Sequence, residues 1–133
     1  MPNAITYNSK GMITKNIVAP PDMLEMQVDE GDFLLIGNHG DYHTEFVLDG
    51  VIINRTIQAT TLDKLTLNAD GVDVINIFDS PLGTFTVRNI TNKQILEGVI
   101  EGSDTFSTTI PGTYKIKIES FPYLDFEATI EAI

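Results

Sequence analysis

The sequence predicts an all-β chain, and three observations predict it. Apolar and polar residues alternate with period two in Leu65–Ala69, in Tyr114–Glu119 and in Phe126–Ala132, the pattern of strands with one buried face. Turn residues (Gly, Pro, Asn, Asp, Ser) punctuate the chain at intervals of roughly 8 to 12 residues. No helical period of useful length appears in the second half.

Taken in order, Ile5-Thr6-Tyr7 begins a strand, Asn8-Ser9-Lys10-Gly11 supplies a turn, and Met12–Val18 returns as the second arm of a hairpin. Pro20-Pro21 ends that arm, because proline donates no ladder hydrogen bond. Residues 21–27 have room for a helical turn or two. Phe33-Leu34-Leu35-Ile36, between Gly31 and Gly37, reads as a strand covered on both faces. Two β-prone runs flanking Asp49-Gly50 give the strongest hairpin signal in the chain. Residues 1–57 thus form a small N-terminal β-meander module.

Gln58–Asp63 is polar and rich in threonine, and the module boundary falls there. Residues 58–133 read as a β-sandwich. Leu65–Ala69 is a strand, Asp70-Gly71 breaks it, and Ile75 and Ile77 restart it. Ser80-Pro81-Leu82-Gly83 reads as a turn, and Thr84–Ile90 as a strand. Ile95–Ile100 and Thr105–Ile110 read as two weaker strands separated by Glu101-Gly102-Ser103-Asp104. After Pro111-Gly112 comes the cleanest strand, with Tyr114, Ile116 and Ile118 on one face and Lys115, Lys117 and Glu119 on the other.

Composition narrows the chemistry. Nineteen acids against eight Lys and Arg leave a net charge of −11 in 133 residues. That balance opposes nucleic acid binding and attraction to anionic membranes, both of which draw on Lys and Arg. With no cysteine, disulfides, thiolate zinc sites and cysteine nucleophiles are excluded. No apolar run approaches the ~20 residues of a spanning helix, and the opening residues have no apolar core of signal-peptide length. The chain as given reads as soluble.

Candidate sites are few. His39, Asp41 and His43 have metal-ligand chemistry, but the segment is short and a fourth ligand is absent, so it reads as a solvated loop beside Tyr42. Asp29, Glu30 and Asp32 crowd around Gly31 without the spacing of a calcium loop and read as a charged turn. No G-x-S-x-G elbow occurs, and nothing singles out a carboxylate pair. Neither a catalytic residue nor a cofactor or metal ligand is assigned, and the chain is expected not to be an enzyme. Phe121, Pro122, Tyr123 and Leu124 form the one aromatic, apolar loop. It either closes one end of the sandwich or offers a contact patch.

Two resemblances add to this reading. The run Ala69-Asp70-Gly71-Val72-Asp73 before Ile75 and Ile77, with Gly112-Thr113-Tyr114 near the end, resembles bacterial and phage immunoglobulin-like domains of the invasin type over residues 60–133. The whole chain is similar to small virion proteins of tailed bacteriophages. The residues carrying that likeness are Gly11, Pro20-Pro21 with Met23, Gln27, Glu30-Gly31, Asp49-Gly50, the Ala-Asp-Gly-Val-Asp run, and Phe121–Leu124. The resemblance implies a structural virion component, assembled in the host cytoplasm in multiple copies, contacting other virion proteins in tail or fibre regions. Capsid decoration is one alternative. Another is a host-surface adhesin binding glycans through aromatics such as Tyr42 and Tyr123.

Overall fold

The computed structural model describes residues 2–133. The fold is all-β: the described residues hold eleven strands, and the helical content is two three-residue 3₁₀ turns, Pro21–Met23 and Glu25–Gln27. Contacts divide the chain into two compact units, Met1–Thr56 and Ile57–Ile133.

In the first unit β1 (Asn3–Tyr7) pairs antiparallel with both β2 (Ile13–Val18) and β3 (Phe33–Ile36). The sheet order is therefore β2-β1-β3, with β1 central, and not the sequential order of a meander. Ala4 and Ile5 are both fully buried although they point to opposite faces, so each face needs a cover. Leu24, held between the two 3₁₀ turns, covers the face of Ala4 and Ile17. Val47 and Ile52 cover the face of Ile5 and Ile13. They belong to a hairpin of β4 (Glu45–Leu48) and β5 (Val51–Asn54). Its tip, Asp49-Gly50, has φ of 51° and 75°, the two positive angles a type I′ turn demands. Strand β3 lies at the sheet edge. Its Leu34 and Leu35 pack one on each face, while Phe33 and Ile36 stay exposed, so only its middle has the two-sided cover its apolar run suggests.

Gly11 fastens the hairpin to the sheet. Its carbonyl accepts from Val47 N–H at 2.8 Å, its φ is +89°, and a Cβ there would lie 2.1 Å from the Val47 carbonyl oxygen. Only glycine fits this approach.

The second unit is one continuous ladder in the order β6-β8-β10-β11-β7, with β9 on β8. Its strands are β6 (Thr61–Leu62), β7 (Thr66–Leu67), β8 (Ile75–Asn89), β9 (Ile95–Phe106), β10 (Gly112–Glu119) and β11 (Phe126–Ala132). Here the structure differs from the sequence reading. Ser80–Gly83 is no turn but a bulged stretch inside the 15-residue β8, where the register shifts twice. A bulge is where a mid-strand proline such as Pro81 is tolerated. Opposite it, Gly102 pairs with Ser80, so the two weaker strands expected over 95–110 merge into the single β9, and residues 107–110 fall outside it. Ile75 and Ile77 from one half of β8 and Val87 from the other join the same core, with Ile100, Phe106, Tyr114, Ile116, Ile118 and Ile130.

Candidate interaction surface

The residues singled out in the sequence are put to local structural use. Asp41 Oδ1 accepts from the His43 N–H at 2.8 Å, and the Asp41 N–H donates to Glu45 Oε1 at 2.8 Å. The His43 ring packs edge-on against Tyr42 at 4.9 Å, and the Arg55 guanidinium lies over the Tyr42 ring at 5.7 Å. Gly40, next to His39, is clamped by the Asn16 side-chain amide at 2.8 and 2.9 Å. In the acidic turn, Asp29 pairs with Lys15 at 3.0 Å and Asp32 accepts from Thr14 at 2.7 Å, tying the turn to β2. Among the described residues no group of three or more His, Cys, Asp or Glu is placed to hold a metal ion.

Phe121, Pro122 and Leu124 are half-buried and Tyr123 is exposed, in the connection between β10 and β11. Gln58 secures this loop from below. It is buried, and its Nε2 donates to the carbonyls of Ile118 at 3.1 Å and Leu124 at 2.9 Å, while its Oε1 accepts from Thr60. Tyr123 N–H adds a turn bond to the Ser120 carbonyl at 2.7 Å.

The Ala-Asp-Gly-Val-Asp run folds into a loop braced by its own aspartates and tied by main-chain bonds from Ala69 to Ile133 and from Gly71 to Thr108. Asp70 Oδ1 accepts from the N–H groups of Val72 and Asp73, both at 2.8 Å. Asp73 bridges Lys64 Nζ at 2.6 Å and the Asn68 N–H at 2.8 Å. These bonds to the ionised form hold both carboxyls below the usual carboxylate range, through the Asp73 N–H first for Asp70 and through Lys64 first for Asp73. The two aspartates are spent on holding this loop in place.

The surface with most left over lies at β9, which no single sequence signal marked. Register fixes its layout. On the outer face one row runs Ile95, Arg88, Lys115, Thr129 across β9, β8, β10 and β11, and the next runs Glu97, Thr86, Lys117, Glu127. Lys115 stands directly opposite Arg88, an arrangement that costs stability. Lys117 has Glu119 and Asp125 at 3.7 and 3.6 Å. Neither Arg88 nor Lys115 reaches an acidic group within ion-pair distance among the described residues. Together they line a shallow groove of about 360 Å³.

Along the margin of this face β9 pairs only with β8, and Ile95, Leu96 and Val99 are 58%, 58% and 72% exposed. Leu96 shares its inner face with an open cleft of about 390 Å³, walled also by Val87, Phe106, Ile110 and Tyr114. Adjacent exposed apolar side chains, an unpaired ladder edge and a cleft have the composition of a protein contact surface. No family model matches the chain, and no curated protein or solved structure is significantly similar to it.

Proposed function

We propose that the chain is a non-enzymatic structural component of a tailed-bacteriophage virion, decorating or connecting tail and fibre parts through protein–protein contacts. In this reading residues 58–133 act as an immunoglobulin-like module, present in multiple copies and assembled into the particle in the host cytoplasm. The observation that carries it is the β9 margin, where exposed Ile95, Leu96 and Val99 adjoin an unpaired strand edge and an outer face bearing Arg88 and Lys115. Such a surface serves contact with other proteins, and many weak copies on a symmetric particle gain avidity without a deep pocket. The sequence likeness to small virion proteins supplies the setting.

The test is direct. Antibody raised against the recombinant chain is applied to purified particles from the source culture, and gold label is located by electron microscopy. Label on tail or fibre is the expected result. Label on the capsid shell would favour decoration of the head. A chain absent from purified particles, by labelling and by mass spectrometry, would overturn the reading.

A further inference from the structure

We propose that β9 accepts an extended strand from a partner protein, one that is apolar at alternate positions and carries a Lys or Arg opposite Glu97. Strand addition at this edge requires no particular biological setting, so it goes beyond the virion reading.

The hydrogen-bond pattern identifies the free groups. Asn89 N–H donates to the Gln94 carbonyl at 2.9 Å. In an antiparallel ladder bonded pairs recur every second residue, so Val87–Leu96 and Phe85–Gly98 are the bonded pairs that follow from this register. The main-chain N–H and C=O of Ile95, Glu97 and Val99 therefore point away from β8. Six polar groups in a row face the open edge, which is the template strand addition uses.

The side chains define the visitor. An added strand places alternate residues on the two sheet faces. On the inner face they meet Leu96 and the cleft beneath it, an apolar lining that accepts apolar side chains. On the outer face they meet Ile95, Glu97 and Val99. Glu97 has Thr86 as its cross-strand neighbour on β8, and Lys117, next in that row, lies one strand further on and is engaged by Glu119 and Asp125. Among the described residues Glu97 thus forms no ion pair until a cation arrives from the open side. Strand β9 carries Glu97, Glu101 and Asp104 and no Lys or Arg. With a chain charge of −11, a second copy of the same edge has the wrong sign. Charge complementarity thus selects a cationic partner strand.

The probe is a capped peptide, Ser-Val-Leu-Lys-Phe-Val-Ser, added to the full chain at millimolar concentration, with backbone amide exchange read residue by residue. In the free chain the amides of Ile95, Glu97 and Val99 should exchange fast while those of Leu96 and Gly98, bonded to β8, exchange slowly. The peptide should slow the first three about tenfold, which corresponds to about nine-tenths occupancy. The same peptide with Glu for Lys should protect them far less. In Glu97→Lys, an exposed substitution, the preference should invert. The proposal is overturned if the three amides are already protected in dilute free chain, if the Lys peptide leaves them unchanged, or if both peptides protect equally. Protection that grows with chain concentration in the absence of peptide would also overturn it, and would assign the edge to a second copy.

Discussion

At the scale of the residue, β10 separates two environments one position apart. Ile116 is 1% exposed among Val87, Ile118 and Ile130, whereas Lys117 stands on the outer face between Glu119 and Asp125. Glu119 first, then Asp125 and Glu127, hold the Lys117 ammonium above its ordinary pKa. Ile116→Asp should cost several kcal/mol, because an ionised carboxylate there has no partner and no water. A whole domain holds only roughly 5–15 kcal/mol, so this variant is expected to unfold. Lys117→Asp removes two exposed ion pairs and adds an acid beside three others, for a loss of about 1 kcal/mol. Denaturant midpoints of the two variants check the order. Equal losses would mean that the inward and outward faces of β10 have been exchanged.

Elements here are held by side chains as well as by ladder bonds. The loop between β7 and β8 depends on Asp70 and Asp73, and Asp63 does the same for β6 by accepting from Asn76 N–H at 2.9 Å and Asn76 Nδ2 at 2.8 Å. Side-chain bonding to Asn76 is the leading cause of the lowered Asp63 pKa. All three acids titrate lower in the folded chain than in the unfolded one. Their contribution is therefore complete above the ordinary Asp pKa of 3.8 and is lost as pH falls through the lower folded values. The urea midpoint should hold steady down to about pH 5 and decline below about pH 4. Asp73→Asn should lower the plateau and flatten part of that decline. A midpoint that rises on acidification would show that relief of the −11 charge outweighs these bonds.

For the whole molecule, the two units have unequal cores. Eleven buried residues form one cluster in Ile57–Ile133, whereas among the described residues of Met1–Thr56 the buried apolar side chains divide between two clusters of four and three. A fragment of residues 57–133 should fold alone with a cooperative melt and protected amides in β8 and β10. Starting instead at residue 61 removes Gln58 and Thr60, and with Gln58 the bonds it donates to the Ile118 and Leu124 carbonyls. That shorter fragment should be less stable by about 1–3 kcal/mol, the loss of two side-chain hydrogen bonds at buried and half-buried carbonyls. If both fragments melt alike, the Gln58 bonds contribute little. If neither folds, the second unit depends on the first.

The sequence by itself determined what local pattern can determine. Period-two alternation placed Ile116 inward and Lys117 outward, Asp49-Gly50 marked a hairpin tip, and the scarcity of helical periodicity gave the all-β class. These follow from one residue's conformational preference or from neighbours two apart. Gln58, by contrast, looks like linker polarity in sequence, and only partners sixty and more residues away, at Ile118 and Leu124, make it a buried fastening. The same holds for the bulges that join Ser80–Gly83 into β8, for the central place of β1, and for β9 as an open edge. Pairing partners and sheet edges are set by which strands meet across long loops, and local alternation is identical for an edge strand and a central one. The Arg88–Lys115 opposition and the free groups of Ile95, Glu97 and Val99 exist only once the tertiary register is fixed.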